Sequence, residues 1–347
     1  MPPACPMIAY VPSRVYSLRR PAADYVSLLR SHFAFTSPLE AEVVILHCTA
    51  PELESILARL PEIANKYLIF YCVWEATDLP DDIKRQLPHA REVWTSSTYC
   101  STVFRKYHDS VCIVPHVVRR DISCSEDILN SVKRLLSFNS DFVYFLTITR
   151  LEDKRKNTSE LIRVFRRLAP RMPLAKLIVK GPSIFLPFRN TVMGEPLSIR
   201  TDGNIIYVNS EFTDAQINAL YNIATAYVSA HHSEGWGMAL SDAMLFQRPV
   251  IATGYSGNME FMNADNAMLV SYMEDYIREE DRFYLFTHEM KWAYPDIEDL
   301  ESKIEHVYEH ARDGALQRIV ARASKDVAEF DGRIARDIMI KRLRMLK

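Results

Sequence analysis

Short apolar runs alternate with amphipathic stretches along the first third of the chain. The apolar runs have the length of buried strands and are bounded by turn-forming or charged residues. The stretches between them repeat their apolar positions every three or four residues, as helices do. This pattern predicts strands at 7–11, 42–47, 67–73, 92–95 and 111–114, and helices around 21–32, 51–60 and 97–107.

The same alternation returns after a polar helix expected at 125–137. One helix start is well marked, because Thr213 is followed three residues later by Gln216, the signature of a capping box before an apolar stripe. The second series predicts strands at 142–149, 177–180, 205–208, 227–230, 250–253 and 267–270, and helices at about 157–169, 213–224, 237–247 and 257–263.

Strand–helix alternation of this kind is typical of parallel sheets that carry helices on both faces. Two such series predict an α/β protein with two Rossmann-like, doubly wound domains that face a cleft. The boundary between them is expected near 120–140. We therefore place an N-terminal domain at 1–130 and a C-terminal domain at 138–324.

The chain looks helical from about residue 296 onward, and its last part, about 325–347, is rich in basic residues. Ile334, Ile338, Leu343 and Leu346 form an apolar stripe there. A helix lying on a membrane would show such a stripe, but a helix packed on the body of the protein is favoured. We expect this terminal helix to return to the first domain.

The composition narrows the functional class. The 347 residues are 48% hydrophobic and 25% charged, with a net charge of -2, which gives no indication of binding to nucleic acid or to anionic lipid. Six cysteines lie in the first 124 residues without a CxxC pair, which favours buried, reduced thiols. No apolar run reaches the roughly 18 residues of a membrane span, and no signal peptide is evident. We expect a soluble cytoplasmic protein.

Glycine is scarce and clustered. Four of the nine glycines lie between residues 235 and 257, around a strand, a turn and an apolar helix with the sequence AYVSAHHSEGWGMALSDAM. Glu234 precedes this helix and Asp242 lies more than one turn inside it. Ligands of open parallel sheets bind beyond the carboxyl ends of the strands, where helix N-termini attract phosphate. A carboxylate at Asp242 could accept two hydrogen bonds from a ribose diol.

A phosphate beside two carboxylates needs cations from elsewhere. Arg150 and Lys156 are six residues apart in TITRLEDKRKNTSELIRVF, after a predicted strand and before a predicted helix. A loop in that position can fold over a pyrophosphate. A solvated charged loop is the alternative for these two residues, and a buried structural acceptor is the alternative for Asp242.

These residues carry a resemblance to a known family. The second half resembles the donor domain of the retaining GT-B-type glycosyltransferases of family four, the glycosyl transferases group 1. Glu234 and Asp242 match the E-x7-E motif, the latter by substitution, and Arg150 and Lys156 match the Arg and Lys of the family's "GR…K" loop. The segment RPVIATGYSGNMEFM is similar to the family's PVIAT…GG..E, and YCVWEATDLP, REVWTSSTYC and IVPHVV resemble the first domain of one branch.

The resemblance implies transfer of a hexose from a nucleotide sugar to a glycan or other hydroxyl acceptor, with retention at the anomeric carbon. It implies catalytic roles for Glu234 beside the donor sugar and for Arg150 and Lys156 on the phosphates, with Asp242 on the ribose. No cofactor, metal or covalent protein nucleophile is required in that mechanism. GDP-mannose is the first choice of donor from family habit and a UDP-sugar the next, since no residue decides the base.

Other residues are expected around the donor or the acceptor. Glu75 and His116, at strand ends of the first domain, are candidates for the sugar or acceptor side, with structural capping as the alternative. His231 and His232 are adjacent at a strand end and point in opposite directions, which argues against a metal chelate. The remaining donor-side candidates are Gly235, Trp236, Gly237, Met238, Lys180, Phe212, His231 and Gly257. Trp236 is expected to pack against the cleft wall rather than stack on a base, and Glu260 to be structural.

Two departures from the family leave a rival open. Asp242 is one methylene shorter than glutamate, and VPSRVYSLRRP, after the first strand, lacks the glycine-rich loop of many relatives. A catalytically silent nucleotide-sugar-binding protein of the same fold is therefore the alternative. A nicotinamide-dependent oxidoreductase is less favoured, because no glycine precedes Gly181 and no GxGxxG can form. The acceptor, which could be protein-linked, and a homo-oligomeric state stay undetermined.

Overall fold

The structure is a computed structural model that describes residues 6–119, 121–181, 191–192, 195–196 and 199–346. Its first part is a five-stranded parallel sheet in the order β1-β2-β3-β4-β5. The strands are β1 Ile8–Pro12, β2 Val43–His47, β3 Tyr67–Tyr71, β4 Glu92–Thr95 and β5 Val111–Ile113. The helices of this part are α1 Tyr16–Leu29, α2 Ala50–Arg59, α3 Asp81–Gln86 and α4 Thr98–Phe104.

The second part is a seven-stranded sheet in the order β10-β11-β7-β6-β12-β13-β14, parallel except for β10. Its strands are β6 Val143–Ile148, β7 Ala175–Lys180, β10 Ile199–Asp202, β11 Ile205–Val208, β12 Ala226–Ser229, β13 Val250–Thr253 and β14 Met268–Val270; β8 Thr191–Val192 and β9 Glu195–Pro196 pair separately. The helices are α5 Glu126–Leu135, α6 Thr158–Leu168, α7 Asp214–Ile223, α8 Met238–Leu245, α9 Ile297–Glu309 and α10 Gln317–Val327.

The predicted strands and most helices lie where the apolar pattern put them, within a few residues at their ends. The polar helix α5 packs on α7, and its Val132 belongs to the core of the second sheet. The prediction of an α-helix at 257–263 is wrong, because the structure has a short 3-10 helix there, at Ser256–Glu260. Thr213 and Gln216 form the expected capping box at the start of α7.

The last helix, α11 Arg333–Met345, returns to the first sheet as expected. Its buried face consists of Ala335, Met339 and Leu343, which join the core around Ile8 and Trp94. The predicted stripe was therefore partly wrong, because Ile334 is 41% exposed. Arg342 on the same helix pairs with the buried carboxylate of Glu92 in β4, with Arg342 Nη2 and Glu92 Oε1 2.9 Å apart.

A hairpin that the apolar pattern did not predict joins the two parts. It consists of β15 Tyr272–Tyr276 and β16 Lys291–Pro295, which pair antiparallel. Phe286, Met290 and Trp292 from this hairpin and its connecting loop lie in the same buried cluster as residues of the first sheet. Among the described helices, none has the length and apolar character needed to cross a membrane.

Candidate active site

The turn between β12 and α8 lies at the carboxyl end of the second sheet. Gly237 precedes α8 with φ of 92°, a left-handed conformation that side chains rarely adopt. No side chain caps the start of α8, so its first N–H groups are directed toward the turn. The backbone of Glu234 is held in place on both sides: its N–H donates to Ser256 Oγ over 2.8 Å, and its carbonyl accepts from the N–H of Gly257 over 2.8 Å.

The carboxylate of Glu234 is buried between two cations. Lys156 Nζ lies 2.5 Å from Glu234 Oε1, and Arg155 Nη1 lies 3.2 Å from Glu234 Oε2. Burial alone would raise the pKa of Glu234, but Lys156 and Arg155 outweigh it and lower the pKa to about 2. Glu234 is therefore ionised over the whole physiological pH range.

Sequence reasoning missed Arg155, which is the arginine that the loop directs inward. Its side chain is buried and also donates to the carbonyl of Ser233 over 2.7 Å and to Asp153 over 3.1 Å. Burial opposes its charge, but the carboxylates around it raise its pKa. Arg150, the predicted residue, has a side chain that is 66% exposed, and its one ion pair in the described part of the chain is to Glu152.

The first sheet contributes Glu75 to this cluster. Glu75 Oε1 lies 3.8 Å from Arg155 Nη2. Burial raises the pKa of the Glu75 carboxyl, while Arg155 lowers it, and the net shift is upward. The guanidinium of Arg155 thus lies between carboxylates that come from the two halves of the molecule.

The turn also contacts the first sheet through its glycines. A Cβ added to Gly235 would lie 1.9 Å from Val73 Cγ1, and one added to Gly257 would lie 2.2 Å from the carbonyl oxygen of Gly235. The same carbonyl accepts hydrogen bonds from Ser96 Oγ over 2.7 Å and Ser97 Oγ over 2.9 Å. The two glycines are required because backbone and side chains of both halves meet here without space for a methyl group.

Asp242 faces the first part of the molecule and is already paired. Arg20 of α1 binds it with both terminal nitrogens, over 2.7 Å and 2.9 Å. The side chain of Asp242 is 15% exposed and that of Arg20 is 31% exposed. Arg20 is a second residue that sequence reasoning missed, since its partner lies 222 positions away. Both carboxylate oxygens of Asp242 are thus engaged by Arg20.

The two adjacent histidines have separate structural environments. His231 is buried and its Nε2–H donates to Asn258 Oδ1 over 3.1 Å, because the amide nitrogen of Asn258 already donates to the carbonyl of Thr253. Burial lowers the pKa of His231 to about 4, so the ring is neutral. His232 donates from Nδ1 to the carbonyl of Ala293 over 2.6 Å. Within the described residues, no three His, Cys, Asp or Glu side chains are placed to share a metal ion.

Lys180, at the end of β7, is a buried cation that forms no ion pair with another described residue. Its Nζ lies 5.2 Å from the centre of the Phe212 ring. Burial lowers the pKa of Lys180 to about 8. A nearby anion would stabilise its charged form, so Lys180 is a candidate ligand for a phosphate.

Trp236 and His116 belong to the wall of the interdomain contact. The Trp236 ring is 2% exposed and packs against Phe261 and Phe330, so it is not available to stack on a base in this conformation. His116 Nδ1 lies 3.0 Å from the hydroxyl of Tyr25. Burial lowers the pKa of His116 to about 3.

The space left at the centre of the site is small. A cavity of about 30 Å³ lies beside Lys156, Glu234, Gly237 and Met238, which is enough for a water molecule or two. A nucleotide would not fit this volume. All residues that line this cavity belong to the second part of the molecule.

Comparisons with known proteins agree with the arrangement of these elements. Residues 132–275 match the family described as glycosyl transferases group 1. No curated protein sequence gives a significant match. The chain is similar in structure to a glycosyltransferase from Rickettsia africae, with 14% identity, a TM-score of 0.66, and coverage of 97% of this chain and 96% of that one.

Two further solved structures have the same architecture. One is Anabaena Alr3699/HepE in complex with UDP and glucose, with 14% identity, a TM-score of 0.64 and 97% of each chain covered. The other is sucrose-phosphate synthase from Thermosynechococcus elongatus, with 13% identity, a TM-score of 0.63, and coverage of 94% of this chain and 78% of that one. The chain thus has the two-domain GT-B fold of these neighbours, and the match to the group 1 glycosyl transferases covers residues 132–275 of it.

Proposed function

We propose that this protein transfers a hexose from a nucleotide sugar to a hydroxyl acceptor, with retention of configuration at the anomeric carbon. The observation that carries the proposal is the buried cluster of Glu234, Lys156 and Arg155 at the start of α8. The site combines an ionised carboxylate, two fixed cations and an uncapped helix N-terminus, which suits a sugar hydroxyl next to a diphosphate.

Lys156 and the start of α8 are the proposed binding groups for the diphosphate. Both border the cavity beside Glu234. Arg155 is buried in ion pairs and does not line this cavity, so its part would be to hold Glu234 in place, while Arg150 would have to turn inward to take the part that the family resemblance implies. Lys180 would add a further positive charge, since no described carboxylate lies within ion-pair distance of its ammonium group.

Glu234 would accept a hydrogen bond from a hydroxyl of the donor sugar. With its pKa at about 2 it cannot supply a proton at neutral pH, so it acts as a fixed negative group. The bond from the anomeric carbon to the phosphate oxygen breaks, and the cations stabilise the negative charge that develops on the nucleoside diphosphate. The acceptor oxygen bonds to the same face of that carbon, and its proton passes to the departing phosphate.

The identity of the donor is part of the proposal. Family habit favours GDP-mannose, and the Anabaena protein is described with UDP and glucose. The two donors, GDP-mannose and UDP-glucose, differ in the base and in the configuration of one sugar hydroxyl. The base would bind on the β7–β11 side of the sheet, near Phe212, and Asp242 would bind the ribose.

The test measures binding and turnover in the same protein preparation. Calorimetry with GDP-mannose and UDP-glucose should give a dissociation constant below millimolar for one of them, and mass spectrometry should detect hydrolysis or transfer. Replacing Glu234 by Gln should lower turnover by about 100-fold, because a fixed charge at the reacting centre is lost. The matched control is Glu160→Gln, since the Glu160 side chain pairs with Arg163 on the outer face of α6.

A nucleotide-sugar-binding protein without transferase activity is the second candidate. This candidate is favoured by the Arg20–Asp242 contact, because it occupies the carboxylate that would otherwise bind the ribose. Tight donor binding with no turnover, unchanged by Glu234→Gln, would establish this alternative. Absence of binding to any nucleotide sugar would reject both candidates.

A further inference from the structure

A second, larger cavity lies at the edge of the first domain, outside the Glu234 cluster. Its volume is about 640 Å³, within the range of about 300–1,000 Å³ typical of small-molecule sites. It lies between the segment that follows β1, one face of α2 and the loop that connects β15 to β16. We define this groove by its lining residues: Val11, Pro12, Arg14, Val15, Thr49, Glu52, Ser55, Ile56, Arg59, Leu60 and Tyr284.

The charges of the groove are not neutralised within it. Arg14 and Arg59 lie on its rim, and neither guanidinium forms an ion pair with a carboxylate in the described part of the chain. Glu52 is the one acidic lining residue, and its carboxylate accepts four hydrogen bonds from Ser13, Arg14 and Thr49. Two arginines and one glutamate leave one net positive charge. The groove therefore favours an anionic guest.

Tyr284 supplies an aromatic surface over the groove. It is 69% exposed and has a φ of 55°, which a tyrosine rarely adopts. Its neighbours Phe283, Leu285 and Phe286 pack into the core cluster of the first domain and fix the loop there. The tyrosine is thus held outward by its own neighbours, while Val11, Ile56 and Leu60 form an apolar surface on the groove.

One end of the groove lies at the sheet edge that leads to the reacting centre. Pro12 at the end of β1 is in register with His47 of β2, and His47 with Tyr71 of β3. Two strand spacings of about 4.8 Å each separate β1 from β3. Val73, just beyond β3, contacts Gly235 next to Glu234. The Pro12 and Thr49 end of the groove lies about two strand spacings from β3, whereas Arg59 and Leu60 lie at the opposite end of α2, about 15 Å further away.

We propose that this groove binds the part of an anionic saccharide acceptor that is remote from the reacting hydroxyl. An apolar surface and a tyrosine ring suit the C–H faces of sugar rings, and the two arginines suit a carboxylate or phosphate on them. Because the groove continues along α2 to Arg59, an acceptor of several sugars would be needed to reach from it to the reacting centre. The inference rests on the proposed transferase function for its role, but its binding test is independent of the donor.

The experiment measures the affinity of three probes by calorimetry: maltotriose, maltotriose that carries one phosphate, and trigalacturonic acid. The charged probes should each bind at least tenfold more tightly than maltotriose, and comparison of the two identifies phosphate or carboxylate as the preferred anion. The double variant Arg14→Ala/Arg59→Ala should remove that preference. Tyr284→Asn should lower the affinity for all three probes at least threefold, because asparagine tolerates a φ of 55° but has no ring.

The matched controls are surface residues of the same kinds outside the groove. Tyr276→Ala removes another exposed tyrosine from the same hairpin, and Arg85→Ala/Arg163→Ala removes two surface arginines. Both should change probe affinity less than twofold. Equal affinity for charged and neutral probes, or groove variants that behave like the controls, would overturn the inference. Donor binding measured on the unmodified protein reports separately on the proposed function.

Discussion

At the scale of single residues, Lys180 has the most informative ionisation. Its pKa of about 8 means that the unliganded protein loses this charge slightly above neutral pH. A diphosphate bound beside it would favour the charged form and raise that pKa. Donor affinity should therefore be constant below about pH 7 and fall as the pH rises through 8. Substitution Lys180→Met should abolish this fall, measured as the dissociation constant of UDP or GDP from pH 6.5 to 9.5.

The control for this prediction is Lys176→Met, which changes a lysine four residues earlier on the same strand, β7. Lys176 donates to the carbonyl of Gly203 at the far end of the strand and does not face the candidate site. Its variant should keep the pH dependence of the unmodified protein. An identical alkaline fall in the Lys180→Met variant would show that a different group is responsible.

The residues of the site were predictable where they stand in a regular strand–turn–helix pattern. Glu234 and Lys156 could be identified in this way. Arg155 could not, because its inward direction depends on Asp153 capping the 3-10 turn and on Asn157 adopting a φ of 50°. Neither feature produces a repeating pattern of residues from which it could be predicted. Arg20 lies on a different domain from its partner, and no local signal connects the two.

At the scale of elements, the contact between the α8 turn and β3 is the most sensitive. Gly235→Ala would place a methyl group 1.9 Å from Val73 Cγ1 and should destabilise the protein by roughly 1–3 kcal/mol through overpacking. The double variant Gly235→Ala/Val73→Ala removes the opposing methyl group and should recover most of that loss. Thermal or denaturant unfolding of the two single variants and the double variant gives the coupling free energy.

A coupling free energy close to zero would contradict this account of Gly235. The matched comparison is Gly203→Ala, where a Cβ would meet no atom within 4 Å and the cost comes from a φ of 61° alone. Val73→Ala should not rescue Gly203→Ala, since the two positions share no contact.

The element pattern was predictable because most strands are buried runs and most helices are amphipathic. The hairpin of β15 and β16 was missed for a physical reason. Residues 272–276 read YMEDY, and four of the five are exposed, so the strand has no apolar period. Its pairing with β16 and the packing of Trp292 on His232 hold it in place. Such tertiary contacts are not visible in a local pattern.

At the scale of the whole molecule, the Arg20–Asp242 contact links the two domains across the proposed donor site. Removing Arg20 should free Asp242 for a ribose. We predict that Arg20→Ala increases the affinity for UDP and GDP about three- to tenfold, because an ion pair of about 1 kcal/mol no longer competes. Calorimetry should show no such gain for inorganic pyrophosphate, which has no ribose.

Arg119→Ala is the control for domain loosening. Arg119 also bridges the domains, with Asp24 at 2.8 Å and Asp214 at 3.8 Å, but it does not contact Asp242. A gain in nucleotide affinity in both variants would assign the effect to easier domain opening. A loss of affinity in Arg20→Ala would show that the guanidinium itself binds the nucleotide, contrary to the prediction.

The return of α11 to the first sheet has a consequence for biosynthesis. The first domain cannot bury Ile8 and Trp94 completely until Ala335, Met339 and Leu343 are available. Those three residues leave the ribosome after every strand of the second sheet. The second domain can therefore complete its core during translation, while the part of the chain made first waits with an open apolar face. A released chain that ends at residue 332 should accordingly be protected from protease in the later domain and cleaved in the earlier one.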